Sequence, residues 1–450
     1  MKSLAKTRIR RLAAGRLISV TGGAAAFTAL NFTVWDRTHS PAMQSLALLL
    51  TFGVAGIFGP FAGALGDRYD RRWVMVWSEA VSAALFLAMA FVAGTEATGL
   101  LIGVAFAAAI AEQPFFSASR AAIPNLIDDP GDLNWANSLV TIGVHSGIAI
   151  GPVLGGILWQ AAGPGWVFAL NALSFVISLA LTLSVHGDFQ QERTAEDDEH
   201  GGISAGLRLL WRDWALRRMS VAWFVFVLGM SVGMVADAAL AESFGEAAIG
   251  YGLMITAWGL GSTLGSASGR WIPSGREGAW MVSGAFGISV FAFGVGFAPA
   301  FWLILVSLFL WGACDGITIV TENTIMQERA PDAVRSRTNA AFEAVLSIGL
   351  AAGYLLAGPV LSVVSPQGAY RIAAAAALVA AAWLLPLRRL DRPDGGGVTG
   401  VRTSVEASDA LTGAAAEERS QPSVPGTFGA RFTSAEDLEA ERPERDRRSA

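Results

Sequence analysis

The sequence predicts an all-α polytopic membrane protein of about twelve transmembrane helices, arranged as two six-helix repeats in parallel orientation. Three observations carry this. Of 450 residues, 53% are hydrophobic and only 15% are charged, against about 25% charged in soluble domains. About twelve apolar segments are each long enough, at roughly 20 residues, to cross some 30 Å of hydrocarbon. The second half of the chain also repeats features of the first. No barrel-type alternation recurs, so helices must satisfy the backbone within lipid.

In order, the predicted spans are 13–35, 43–65, 73–93, 99–121, 137–160, 165–185, 218–240, 250–271, 279–297, 300–324, 338–363 and 367–388. They divide the chain into an N-terminal tail (1–12), a first bundle (13–185), a central loop (186–217), a second bundle (218–390) and a C-terminal tail (391–450). The polar run 190–200 cannot be embedded, and 207–214 reads as a short surface helix. Beyond 390 the chain turns to Gly, Pro, Ser, Glu and Arg with few large apolar residues, which predicts a disordered tail.

Lysine and arginine set the orientation. Lys2, Lys6, Arg8, Arg10 and Arg11 precede span 1. Arg68, Arg71, Arg72, Arg120, Arg193, Arg208, Arg212, Arg217, Arg218, Arg270, Arg276, Arg329, Arg335, Arg337, Arg388, Arg389 and Arg392 fall on the same side. Only Arg37 and Arg371 fall opposite. Both termini are therefore expected in the cytoplasm, in a multi-pass protein of the plasma membrane. The basic N-terminus runs into span 1 without a short cleavable apolar core, so span 1 is expected to be retained.

Whole classes of function drop out. The single Cys314 excludes a disulfide framework and a multi-cysteine metal cage, and the four histidines are scattered. No metal or cofactor is expected. No P-loop, H-E-x-x-H or G-x-S-x-G occurs, so neither direct ATP use nor a catalytic residue is expected, and the chain does not read as an enzyme. The net charge of -5 gathers in the central loop and tail, leaving no basic face for nucleic acid.

A shift of about 202 residues pairs Arg16 with Arg218, Gly59 with Gly261, Gly63 with Gly265, Arg68 with Arg270, Asn137 with Asn339, Gly147 with Gly349, Gly151 with Gly353 and Gly156 with Gly358. These pairs fall at equivalent helix ends and faces. Two such halves are an arrangement used by secondary transporters that rock one half against the other.

Between spans 2 and 3 lies Gly63-x-Leu65-x-Asp67-Arg68-x-x-Arg71-Arg72. With six plus six spans and a polar central loop, this resembles the major facilitator superfamily, whose loop signature has the form G-x-L-x-D-R-x-G-R-R/K. Asp70 stands where the second glycine is usual. The Tyr69-Asp70-Arg71-Arg72 ending, and the connection from Ile123-Pro124-Asn125 to Trp135-Ala136-Asn137, look like the branch of siderophore exporters and macrolide efflux proteins. The resemblance covers about residues 8–390. It implies that Asp67 latches the cytoplasmic side, with Arg120 as a cationic partner, and that Asp67 is the residue of the turn whose removal matters most. In the second half Gly269 replaces that acid.

Span 5 carries Gly147-x3-Gly151-Pro152-x2-Gly155-Gly156, similar to the antiporter motif of family exporters, with Ser138 where a further glycine is expected. Glycines at this spacing make a flat face for close packing, and proline weakens the helix. Ordinary helix packing is the alternative reading.

Acids near mid-bilayer are costly and become functional candidates by default. Glu112 in span 4 and Asp315 in span 10 each lie about ten residues, about 15 Å, from the cytoplasmic end. Pro114 is expected to kink span 4 beside Glu112. Either acid is a candidate to carry a coupling proton or a cationic substrate group, the alternative being a carboxyl satisfied by neighbouring helices. His145 and Glu343 are weaker candidates. Glu322 is expected to pair with Arg329 or Arg337, and Asp36, Asp237, Glu242 and Glu246 to be solvated at the outer face. Trp73, Trp77, Trp159 and Trp302 read as interfacial. Asn31, Trp35, Trp223, Phe226, Trp258 and Trp311 are candidates to line an apolar cavity. The expectation is a proton-coupled exporter of a small amphipathic molecule, drug-like, macrolide-like or siderophore-like. Its partners are then the substrate, protons and the bilayer, and it functions as a monomer. An importer of the same fold and a transport-dead sensor remain alternatives.

Overall fold

The structure is a computed structural model and describes residues 2–54, 58, 65, 68–127, 133–186, 189 and 203–390. The expectations for Gly63, for Asp67 and for the tail beyond 390 lie outside these residues, as does the side chain of Arg120.

In chain order the helices are α1 (Lys2–Thr38), α2 (Pro41–Leu48), α3 (Arg71–Val92), α4 (Thr98–Leu126), α5 (Leu133–Ala162), α6 (Pro164–Ser184), α7 (Ile203–Arg212), α8 (Trp214–Ser243), α9 (Ala248–Ala267), α10 (Glu277–Gly296), α11 (Phe301–Arg329), α12 (Asp332–Leu361) and α13 (Pro366–Leu384). No strand occurs among the described residues. Spans 1–6 correspond to α1–α6 and spans 7–12 to α8–α13, with α7 the surface helix, displaced toward the N-terminus of its predicted range. Among the described residues, ten helices are long and apolar enough to cross a bilayer. The other two positions belong to α2, which runs on as a π-helical turn at Leu49–Val54, and to α9, whose composition is diluted by Gly250, Gly252, Gly259, Gly261 and Gly265.

Polar side chains fix the ends. Ser40, Asp70, Asp213 and Ser365 each accept hydrogen bonds from backbone N–H groups at the start of the helix that follows, and Pro41, Pro164 and Pro366 open theirs at a position where no N–H is needed. Gly163 links α5 to α6 at φ 84, a conformation costly for any residue with a side chain. Arginines close several helices. Arg71 donates to the carbonyl of Ala121, Arg72 to Leu183, Arg11 to Ser184 and Arg218 to Trp383. At the opposite face Arg37 donates to Ala93 and Thr95, and Arg371 to Gly296. The carbonyls of Leu183, Ser184, Ala93 and Gly296 lie at or just past helix C-termini, where the last carbonyls lack intrahelical partners and the helix dipole favours a cation.

Asp70, the departure from the family loop pattern, thus has a structural role: its Oδ1 accepts from the N–H groups of Arg72 at 2.8 Å and Trp73 at 3.2 Å. Asp70→Ala is expected to cost about 1 kcal/mol of stability, read as a lower denaturation midpoint with transport retained.

The repeat is visible in the packing. In the first half Gly147 and Gly151 lie against Val20, Thr21 and Ala24 of α1, and in the second half Gly349 and Gly353 lie against Phe224, Val227 and Leu228 of α8. The next pair crosses between the halves: Gly156 meets Ala248 at the start of α9, and Gly358 meets Ala42 at the start of α2.

A clasped face and buried acids between the two halves

We call the face at which α1 and α8 end, at Thr38 and Ser243, the distal face, and the face from which they start the proximal face. On the distal side the halves are joined by polar contacts. The Trp35 indole N–H donates to Glu242 Oε2 at 2.6 Å, and the His39 ring nitrogen lies 3.2 Å from Glu242 Oε1. Ser45 donates to the carbonyl of Tyr354 at 2.8 Å. Glycines bring the helices together below these contacts. A Cβ on Gly156 would stand 2.3 Å from the Ala248 carbonyl oxygen, and one on Gly252 would stand 2.4 Å from that of Pro152. Gly53, in the π-helical turn of α2, faces Ala351 of α12. A cleft of about 300 Å³ opens beside the clasp, lined by Trp35, Pro41, Val235, Glu242 and Pro366.

The span 5 motif therefore packs on two sides. Gly147, Gly151 and Gly155 face α1 within the first half, while Gly156 and the Pro152 backbone face α9 of the second. His145, earlier on the same helix, is half-buried.

Glu112 is the middle residue of the 29-residue α4, and Asp315 is the middle residue of the 29-residue α11. Neither is fully buried. α4 runs as one helix through Pro114 and Pro124. Trp311, one turn from Asp315, begins an aromatic ladder: it meets Phe226 edge-on at 6.5 Å and Tyr370 at 6.1 Å, and Phe226 meets Trp223 at 5.2 Å. The indole N–H groups of Trp223 and Trp311 are buried and donate to no protein group among the described residues.

Three expectations need correction. Asp237 is not solvated, because α8 runs on to Ser243 and carries it inward, where it accepts a hydrogen bond from Tyr370 near Tyr251 and Tyr354. Glu322 does not pair with Arg329, which binds Asp213 Oδ2 at 2.8 Å; Glu322 instead lies within electrostatic range of Glu343 and Asp315. Trp159 is not interfacial, since its N–H donates to Thr33 Oγ1 at 2.8 Å and Phe32 packs edge-on against it. Asn31 is fully buried between α1 and α2, donating to the Phe27 carbonyl and accepting from Gln44 at 2.9 Å. Trp73, Trp77 and Trp302 are exposed as expected, while Glu343 is exposed on α12.

One buried acid was not among the expected candidates. Glu79 of α3 is 1% exposed and accepts a hydrogen bond from Ser178 of α6. Its signal in the sequence is an acid flanked by Ser78 and Ser82 inside an apolar run.

A model of the transmembrane secretion effector family matches residues 3–396. The chain belongs to the transmembrane secretion effector family. This family is a branch of the major facilitator superfamily, and its members are transporters rather than enzymes. The enterobactin exporter EntS of Shigella boydii serotype 18 (strain CDC 3083-94 / BS512) is 26% identical over 376 residues, covering 81% of this chain and 88% of the relative. The enterobactin exporter EntS of Escherichia coli O139:H28 (strain E24377A / ETEC) is likewise 26% identical, with the same coverage. Among solved structures, the nucleoside transporter NupG aligns with a TM-score of 0.64 and 17% identity, covering 84% of this chain and 98% of that one. A bacterial homologue of the iron transporter ferroportin, in an inward-facing state, aligns at 0.62 and 17%, covering 85% and 98%. The protein is a multi-pass membrane transporter.

Proposed function

We propose that this protein exports a small amphipathic organic molecule from the cytoplasm by alternating access, with protons entering in exchange. In this reading the proximal face, with both termini, is cytoplasmic, as the arginine asymmetry requires. The observation that carries it is the distal clasp between halves that hold one mid-helix acid each. A transporter closed on one face presents its site to the other, and breaking the clasp re-exposes it. Glu112 and Asp315 are the acids assigned to protons or to a cationic part of the cargo, with His145 and Glu343 as lesser candidates. The turn at 63–72 is the proximal latch, with Asp67 and Arg120 in the roles given above. The molecule works as a monomer, since both halves of the pathway lie in one chain. The relatives' activity makes enterobactin the first compound to test.

The test uses inside-out vesicles with an acidic lumen. Enterobactin uptake is expected, and a protonophore is expected to abolish it. Uptake that survives collapse of the gradient would overturn proton coupling. The clasp gives a second expectation. Glu242→Gln weakens the bonds from Trp35 and His39 and favours the distal-open state. In a Cys314→Ser background, labelling of a cysteine placed at Val235 should rise several-fold from the distal side. Unchanged labelling would mean that the clasp does not gate.

A further inference from the structure

Glu79 and Glu112 are on different helices, yet one guanidinium acts electrostatically on both. Arg16 of α1 is 5% exposed, and its guanidinium lies 4.7 Å from the Phe116 ring centre and 5.2 Å from that of Phe115. Those residues follow Glu112 by one turn on the same face of α4. The preceding residue, Gly15, lies against Ser178, where a Cβ would stand 3.0 Å from the hydroxyl oxygen, and that hydroxyl donates to Glu79. α3 and α4 are joined at the same level, because Ser78 donates to the Ala111 carbonyl. Arg16 is thus placed between the two acids, and it acts electrostatically on each of them.

The groups facing Glu79 are few. Among the described residues, α6 offers the hydroxyls of Ser178 and Thr182, and α1 offers Arg16. One cation cannot neutralise two carboxylates. In a low-dielectric site a second uncompensated charge is costly, which favours one retained proton.

We propose that Glu79 and Glu112 are alternative partners of Arg16, sharing one proton between them. When Glu112, the acid nearer the pathway, takes a proton, Arg16 moves its charge to Glu79. When Glu112 releases that proton, Arg16 returns to it and Glu79 takes the proton, whereas Ser178 and Thr182 donate to Glu79 in its ionised form. Glu79 is therefore a positioning residue that resets Glu112 in each cycle. This meaning rests on the exporter reading, but the sharing itself is tested without cargo or flux.

The probe is a hydrophobic carbodiimide, which reacts with protonated carboxyls in apolar surroundings. The full chain in detergent at neutral pH is labelled, and the Glu112 peptide is read by mass spectrometry. In Glu79→Gln, Arg16 no longer serves a carboxylate at position 79 and holds Glu112 ionised, so labelling falls several-fold. In Arg16→Gln labelling rises. In Ser178→Ala, Glu79 loses a hydroxyl that donates to its ionised form and competes less well for Arg16, so labelling of Glu112 falls, while Glu79→Asp keeps labelling near the parent. Equal labelling of Glu112 in Glu79→Gln and the parent would overturn the proposal. If Glu79→Gln fails to fold, Ser178→Ala decides, and unchanged labelling there overturns it equally.

Discussion

Replacing Glu112 or Asp315 by its neutral amide is expected to uncouple transport from the proton gradient. One proton exchanged per cargo molecule sustains about a tenfold cargo gradient for each unit of pH difference, because one pH unit is worth about 1.4 kcal/mol. Two exchanged protons sustain about a hundredfold. Glu112→Gln and Asp315→Asn keep the size and most of the hydrogen bonding of the parent side chain but can neither bind nor release a proton. Each is expected to remove about one tenfold factor from the accumulation ratio in acid-loaded vesicles. Exchange of labelled for unlabelled cargo without a gradient should continue, which separates lost coupling from a misfolded chain. The sign is fixed: accumulation rises as the lumen of an inside-out vesicle is made more acidic, and the variants flatten that dependence. If both single variants hold the parent ratio, neither acid couples.

The second large effect is steric. A valine at Gly156 would place its Cβ 2.3 Å from the carbonyl oxygen of Ala248 and 2.8 Å from its carbonyl carbon. Both atoms belong to the backbone of the opposing helix, so no rotamer change relieves the clash, and overpacking of this kind costs about 1–3 kcal/mol or more. The contact joins the two halves rather than elements within one half. Gly156→Val is therefore expected to leave a folded chain that cannot close its distal face, with transport lost and distal labelling at Val235 raised. Gly155→Val meets the Ala25 backbone inside the first half, at 2.4 Å from the carbonyl oxygen, and is expected to lower the yield of folded protein instead. Gly103 of α4 has no atom within 4 Å of a built Cβ. Gly103→Ala should be neutral or stabilising by up to about 1 kcal/mol, and serves as the control. Normal transport by Gly156→Val would show that the halves do not need this approach.

The order of helices was legible because lipid demands long apolar runs, and those survive in composition alone. Helix ends were less so. Predicted span 7 stopped at 240, while α8 reaches Ser243, and that difference of less than one turn moved Asp237 from water into a ring of tyrosines. Trp159 lay at a predicted helix end and so read as interfacial, yet its N–H finds Thr33 across the bundle. The midpoint acids were visible because a lone carboxyl in an apolar run is conspicuous. Glu79 has the same signature but its partners, Ser178 and Arg16, are brought near only by tertiary packing. The clasp has no local signal at all, since Trp35 and Glu242 lie in different halves.

The glycine-rich α9 has a consequence for how this protein is made. Its glycines make it less apolar than the ten helices that satisfy the length and hydropathy of a span. It packs closely on α5 and α11, where Gly252 meets Pro152 and Gly261 meets Phe309. The second of these partners is synthesised after α9. α9 is therefore expected to reach its final packing only once α11 has been made.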